Sequence, residues 1–134
     1  MEQFKRLAMN KVVETPYVRL ELLQNGILVA SYKRWRRVTL EMAREIVQTR
    51  LDFTGREPRP VLINNLGVVQ FDKAARVYVS AGDGIAGVKA AAIMEDRLAT
   101  SIIMSFILIF ERPPMPVRTF RERNGAMTWL ETYL

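Results

Sequence analysis

The chain has 134 residues, 49% apolar and 25% charged, the balance of one globular domain and not of a disordered or fibrous chain. It contains no cysteine and no histidine, which excludes disulfides, thiolate or imidazole metal ligation, and Ser-His or Cys-His nucleophile activation. The net charge is +6, and residues 1–40 hold eight Lys/Arg against three Glu, so the excess is local.

Residues 1–10 mix Glu2, Lys5 and Arg6 with scattered apolar positions and lack the basic-then-apolar pattern of a secretory leader, so a cytoplasmic protein is expected. We read residues 1–14 as an N-terminal segment and 15–134 as a single domain. Residues 17–23 alternate and are rich in β-formers, Gln24-Asn25-Gly26 supplies a turn, and residues 27–32 resume as a strand, predicting a β-hairpin. After a basic loop, Thr39 is a candidate N-cap, and Leu40, Ala43, Ile46, Val47 and Leu51 fall on one helical face. Gly55 should end that helix, and Pro58 and Pro60 should prevent it from restarting.

The run from Pro60 to Ala75 is the most informative in the chain. A short apolar segment, Val61-Leu62-Ile63, breaks at Asn64-Asn65 and Gly67, and a helix opens at Asp72, whose carboxylate is expected to accept from the first-turn N–H groups. The helix should run to about Ser80, and Ala81-Gly82-Asp83-Gly84 reads as a break. Residues 88–94 are small and apolar apart from Lys89, as suits a strand buried on both faces. An apolar helix over 98–110, a stiff connector at Pro113-Pro114-Met115-Pro116, a strand over 117–120 and a helix over 122–133 complete the chain, the last with Ala126, Trp129, Leu130 and Tyr133 inward. Strands alternating with helices predict a mostly parallel α/β sheet with an antiparallel hairpin at one edge.

The order ββαβαβαβα resembles the STAS/SpoIIAA-like proteins, which include anti-sigma-factor antagonists and many uncharacterised bacterial domains. Three patterns carry the resemblance over residues 17–134: the hairpin with Asn25-Gly26, the strand-loop-helix from Val61 to Asp72, and Val117-Arg118-Thr119-Phe120 followed by Ala126-Met127-Thr128-Trp129-Leu130. It implies that family's fold and a non-enzymatic protein-interaction or regulatory role. In the anti-sigma antagonists the helix starts Asp-Ser-Ser-Gly, and one serine is phosphorylated to control partner binding. Here Asp72 is followed by Lys73, Ala74 and Ala75, so no hydroxyl can accept phosphate there, and Asn64 stands where an acidic residue is usual. The chain is more similar to the uncharacterised branch than to the sigma-regulating one.

Three candidate surfaces follow. Asn64, Asn65, Gly67, Asp72 and Lys73 form a candidate interaction loop at the carboxyl edge of the sheet. Lys33, Arg34, Trp35, Arg36 and Arg37 form a basic patch with one aromatic, suited to an anionic lipid surface, although one such cluster makes nucleic acid an unlikely partner; the plainer alternative is a solvated loop whose Trp covers the sheet edge. The helix over 98–110 is apolar nearly all round yet spans only about 20 Å, short of the ~30 Å hydrocarbon core. Something besides the sheet must therefore cover it: a second copy of the chain, an apolar ligand such as a lipid, or residues 1–14. Ile103, Phe106, Ile107 and Phe110 form one stripe on it, with Ile102 and Ile109 on the other side. Enzyme readings are weak. Gly82-Asp83-Gly84 lacks phosphate-loop spacing, Glu95-Asp96 reads as charge at a helix start, and no catalytic, cofactor-binding or metal-ligating residue is expected. The expected function is a homodimeric, non-enzymatic interaction module, the alternative an apolar-ligand or membrane-surface binder.

Overall fold

The computed structural model describes residues 10–109 and 113–134. In chain order the elements are β1 (Lys11–Glu14), β2 (Val18–Leu22), β3 (Leu28–Tyr32), β4 (Arg37–Val38), α1 (Leu40–Thr54), β5 (Arg59–Asn65), β6 (Gln70–Phe71), α2 (Lys73–Val79), β7 (Val88–Met94), α3 (Arg97–Ile109), β8 (Val117–Phe120) and α4 (Arg123–Glu131), with a short 3-10 turn at Gly82–Gly84 before β7. A six-stranded sheet runs in the order β1-β2-β3-β5-β7-β8, and β4 pairs with β6 in a separate parallel ribbon. The first three strands are antiparallel neighbours, and every later pairing in the sheet is parallel. This is a mixed α/β domain of the class the element order predicts.

The hairpin forms for the reason its sequence suggests. Gly26 adopts φ 99°, and Asn25 Oδ1 accepts from the Ile27 N–H at 3.1 Å. Thr39 caps α1 by accepting from the Met42 N–H at 3.3 Å, and Gly55 at φ 69° returns its N–H to Leu51 O. Pro60 does not precede β5 but lies inside it, where the register against β7 shifts between Arg59 and Pro60; a residue without an N–H is tolerated in a central strand at such an irregularity. The sequence carries little sign of β1, which lies within the segment 1–14 and extends the sheet by pairing with β2. Burial of residues 98–110 by that segment is not what its described part does, because Lys11–Glu14 is an edge strand.

Steps from β3 to β5, β7 and β8 all run in one direction across the sheet, so α1, α2 and α3 share one face. That face holds the larger core, with Leu28, Ala30, Tyr32 and Val61 of the sheet against Ala43 and Ile46 of α1, Ala75 of α2 and Ile102 and Phe106 of α3. On the opposite face α4 packs Ala126 and Leu130 against Ile27, Val29, Leu62, Ala90 and Ala92. β7 is thus buried on both sides, and its run of alanines lets helices approach it closely. Trp129 and Tyr133 are only partly buried and stack with Phe120 at the rim, with ring centroids 5.0–5.5 Å apart.

The 3-10 turn folds tightly onto the end of α2. A Cβ on Gly84 would lie 2.6 Å from Val79 Cα, so the position admits no side chain. Gly84→Ala is therefore expected to destabilise the domain by about 1–3 kcal/mol through overpacking. An unchanged urea midpoint would show that this turn shifts freely.

Candidate functional site

The loop after β5 is built by one side chain. Asn65 Oδ1 accepts from the N–H groups of Gly67 at 3.1 Å and Val68 at 2.8 Å, and its Nδ2 donates to Val68 O at 3.1 Å. Asn65 is thus a structural stitch. Its neighbour Asn64 points to the other face of the sheet by strand alternation, opposite Ser31 in the ladder. Gly67 lies under Arg34, where a Cβ would meet Arg34 Cγ at 2.6 Å.

That contact joins two surfaces the sequence leaves separate. The Leu66 N–H donates to Tyr32 O, the Val69 N–H to Trp35 O and the Asp72 N–H to Val38 O, at 2.9–3.0 Å, and β4 pairs with β6. The interaction loop and the basic loop are therefore one continuous surface. Much of its charge is already matched. Lys33 Nζ lies 2.7 Å from Glu14 Oε2 and Arg37 Nε 2.9 Å from Asp72 Oδ1. The hydrogen bond and charge of Lys33, with help from Arg19, hold the Glu14 carboxyl below its ordinary range. Trp35 donates from Nε1 to Pro16 O at 3.0 Å and tilts against Tyr17, so it folds back onto the sheet edge, as the plainer alternative has it. Among the described residues Arg34 and Arg36 make no ion pair.

Asp72 does not cap α2 with its side chain. Its carboxylate turns to Arg37, because a guanidinium 2.9 Å away competes for the same oxygens. At the start of α2, Lys73 and Ala74 are exposed and Ala75 is fully buried. Ser80, the next hydroxyl along, is also fully buried and donates to Arg76 O at 2.7 Å, so it is not presented to a kinase.

α3 settles which of its faces is inward, and the stripe drawn on the sequence needs correcting. Ile102 and Phe106 lie together in the core with Leu98 and Ala99, whereas Ile103 is half-buried and Ile107 exposed. Residues at i and i+4 share a face more closely than residues at i and i+3, and the sheet selects the 98, 102, 106 row. Phe110 lies outside the described residues. The outer face carries Met104, Ile107, Leu108 and Ile109, with Leu108 79% exposed, and it continues across a groove to exposed Val77 of α2, with Lys73 and Arg76 at the rim. Ser105 is buried and satisfied by donating to Ser101 O. No helix among the described residues is long and apolar enough to cross a membrane.

The acidic candidates have structural partners. Asp96 Oδ1 caps α3 through the Ala99 N–H at 2.9 Å, Glu95 faces Arg121, and Asp83 pairs with Arg56 at 3.0 Å. In the 82–86 turn the N–H groups of Gly84, Ile85 and Ala86 bond within the turn and offer no anion cradle.

Arg50 is the residue that sequence reasoning passed over. It is only 8% exposed, donating from Nη1 to Ala86 O at 2.6 Å and from Nη2 to Asp83 O at 3.0 Å and Gly84 O at 3.2 Å. Its position was the available signal, since 43, 46, 47 and 50 are the buried positions of α1 at i, i+3, i+4 and i+7.

Residues 21–134 match a family described as a domain of unknown function, DUF7793. The chain belongs to the DUF7793 family. No curated protein matches it. Among solved structures it is similar to an uncharacterised DUF3478-family protein with a SpoIIAA-like fold from Shewanella loihica PV-4, at 12% identity and a TM-score of 0.51 over 91% of this chain and 92% of that one. At that identity the likeness concerns the fold alone, and this DUF7793 chain has a SpoIIAA-like fold.

Proposed function

We propose that this DUF7793 domain is a phosphorylation-independent protein-interaction module that acts without chemistry of its own and pairs with a second copy of itself through the outer face of α3. The observation that carries this reading is the composition of that face. The chain has no charged residue from Leu98 to Ile109, and Met104, Ile107, Leu108 and Ile109 stand exposed on one helix. A contiguous apolar surface of this kind marks an interaction site. The α3 part of that face carries no charge, and the cations nearest it, Lys73 and Arg76, stand at the rim of the groove, so its apolar centre can meet its own image in an isologous two-fold contact. The absence of a hydroxyl at positions 73–75 supports an interaction that is not switched by phosphate at that helix start. The lack of His and Cys, together with carboxylates committed to Arg37, Arg56 and a helix cap, supports a binding role over catalysis.

Native mass spectrometry and sedimentation of the whole chain test it. Wild type is expected as a dimer without extra small-molecule mass, and Leu108→Asp as a folded monomer. A wild-type monomer at high micromolar concentration, or a monomer carrying an acyl-chain mass, would overturn self-pairing, the latter in favour of lipid binding.

A further inference from the structure

A largely enclosed cavity of about 60 Å³ lies between the sheet and the helix layer of α1 and α3. Its walls are apolar, with Ala30, Val61, Ile102 and Phe106 among them, except where Arg50 and Tyr32 enter. A guanidinium carries five N–H donors, and the three hydrogen bonds of Arg50 all end on neutral backbone carbonyls. Among the described residues no carboxylate is buried with it. Asp83, which contributes a carbonyl, holds its side chain at the surface against Arg56. Burial accordingly pushes the Arg50 pKa down and raises that of the Tyr32 hydroxyl, and both side chains line the same cavity. Arg50 nonetheless remains cationic at neutral pH. A buried cation whose hydrogen bonds all end on neutral carbonyls, beside an apolar cavity, is a costly arrangement that an anion with an apolar body would relieve.

We propose that this cavity binds a small branched aliphatic monocarboxylate, its carboxylate on a remaining N–H of Arg50 with the Tyr32 hydroxyl as a second donor, and its tail against Ala30, Val61, Ile102 and Phe106. Size limits the ligand. At about 10–15 Å³ per water position the space holds roughly four to six water-sized groups, which suits an acid on the scale of isobutyrate and not a long acyl chain. Water alone fills it poorly, since a buried water needs two to four polar partners and only one end of the cavity is polar. The site is separate from the outer face of α3, so its occupancy does not depend on self-pairing.

Sodium isobutyrate and its neutral isostere isobutyramide, titrated calorimetrically into the whole chain at matched ionic strength, form the test. Isobutyrate is expected to bind with Kd of about 1 mM or tighter, at least about tenfold better than the amide, because a charge-assisted pair to a buried guanidinium has no counterpart in the neutral ligand. Ala30→Leu fills the cavity without touching Arg50 and should abolish binding. In the wild type, nuclear Overhauser contacts from the isobutyrate methyls to Ile102 and Phe106 locate the ligand whether or not the variant folds. Failure to saturate by ~10 mM, equal binding of the amide, full binding by folded Ala30→Leu, or contacts elsewhere on the molecule would each overturn the proposal.

Discussion

Arg50→Met is expected to lower stability by about 2–4 kcal/mol, with a correspondingly lower urea midpoint and early loss of protection in the 82–86 turn. Replacing a buried charge by an apolar side chain of similar length sometimes stabilises a protein. Here three carbonyls, those of Asp83, Gly84 and Ala86, converge on one guanidinium. A methionine leaves the carbonyls of Gly84 and Ala86 without that donor, at about 1 kcal/mol or more each, while Asp83 O keeps the Ala86 N–H, and the relief of desolvating one cation does not offset that sum. Ile85 and the exposed Arg56–Asp83 pair also tie the turn down, but neither donates to the carbonyls of Gly84 and Ala86. A variant as stable as wild type would mean that the carbonyls reach water without cost and that Arg50 is not the anchor of this turn.

Ile102→Asp and Phe106→Asp are both expected to unfold the domain. Each residue is at most 5% exposed and sits against the sheet in the larger core. Substitution removes a large apolar contact, at about 2–5 kcal/mol, and places a carboxylate where it has no partner, which adds several more. The total reaches the whole stability of an ordinary domain, about 5–15 kcal/mol. Leu108, two residues beyond Phe106 on the outer face, is 79% exposed, and Leu108→Asp leaves the far-ultraviolet circular dichroism unchanged. The contrast between 102 or 106 and 108 separates core from interface on a helix that is apolar on nearly every side. If Ile102→Asp and Phe106→Asp both give native circular dichroism and cooperative melts, α3 is not docked as described.

The element order and most boundaries were legible because their signals are local. The hairpin needs only Asn25 and Gly26 between two β-rich runs, α1 only its Thr39 cap and Gly55 stop, and β7 only a run of small apolar residues that no solvated strand would carry. The missing hydroxyl at 73–75 is equally a property of the chain, and so is the absence of His and Cys. These features depend on a residue and its near neighbours, and the fold class follows from adding them in order.

Tertiary structure decided whatever depends on partners distant in the chain. Asp72 has the sequence of a cap, but Arg37, which parallel pairing of β4 with β6 brings alongside, takes its carboxylate. Arg50 looks like a solvated charge until the fold closes the 82–86 turn over it, more than thirty residues along the chain. The inward face of α3 was undetermined for a related reason: a helix apolar all round has no polar face to set its rotation, so the sheet it docks on chooses Ile102 and Phe106 and leaves Leu108 outside. The sequence by itself determined which segments become strands and helices, through short-range propensity and capping, whereas charge pairing, the buried cation and the exposed apolar face were decided only by what the fold brings within a few ångströms.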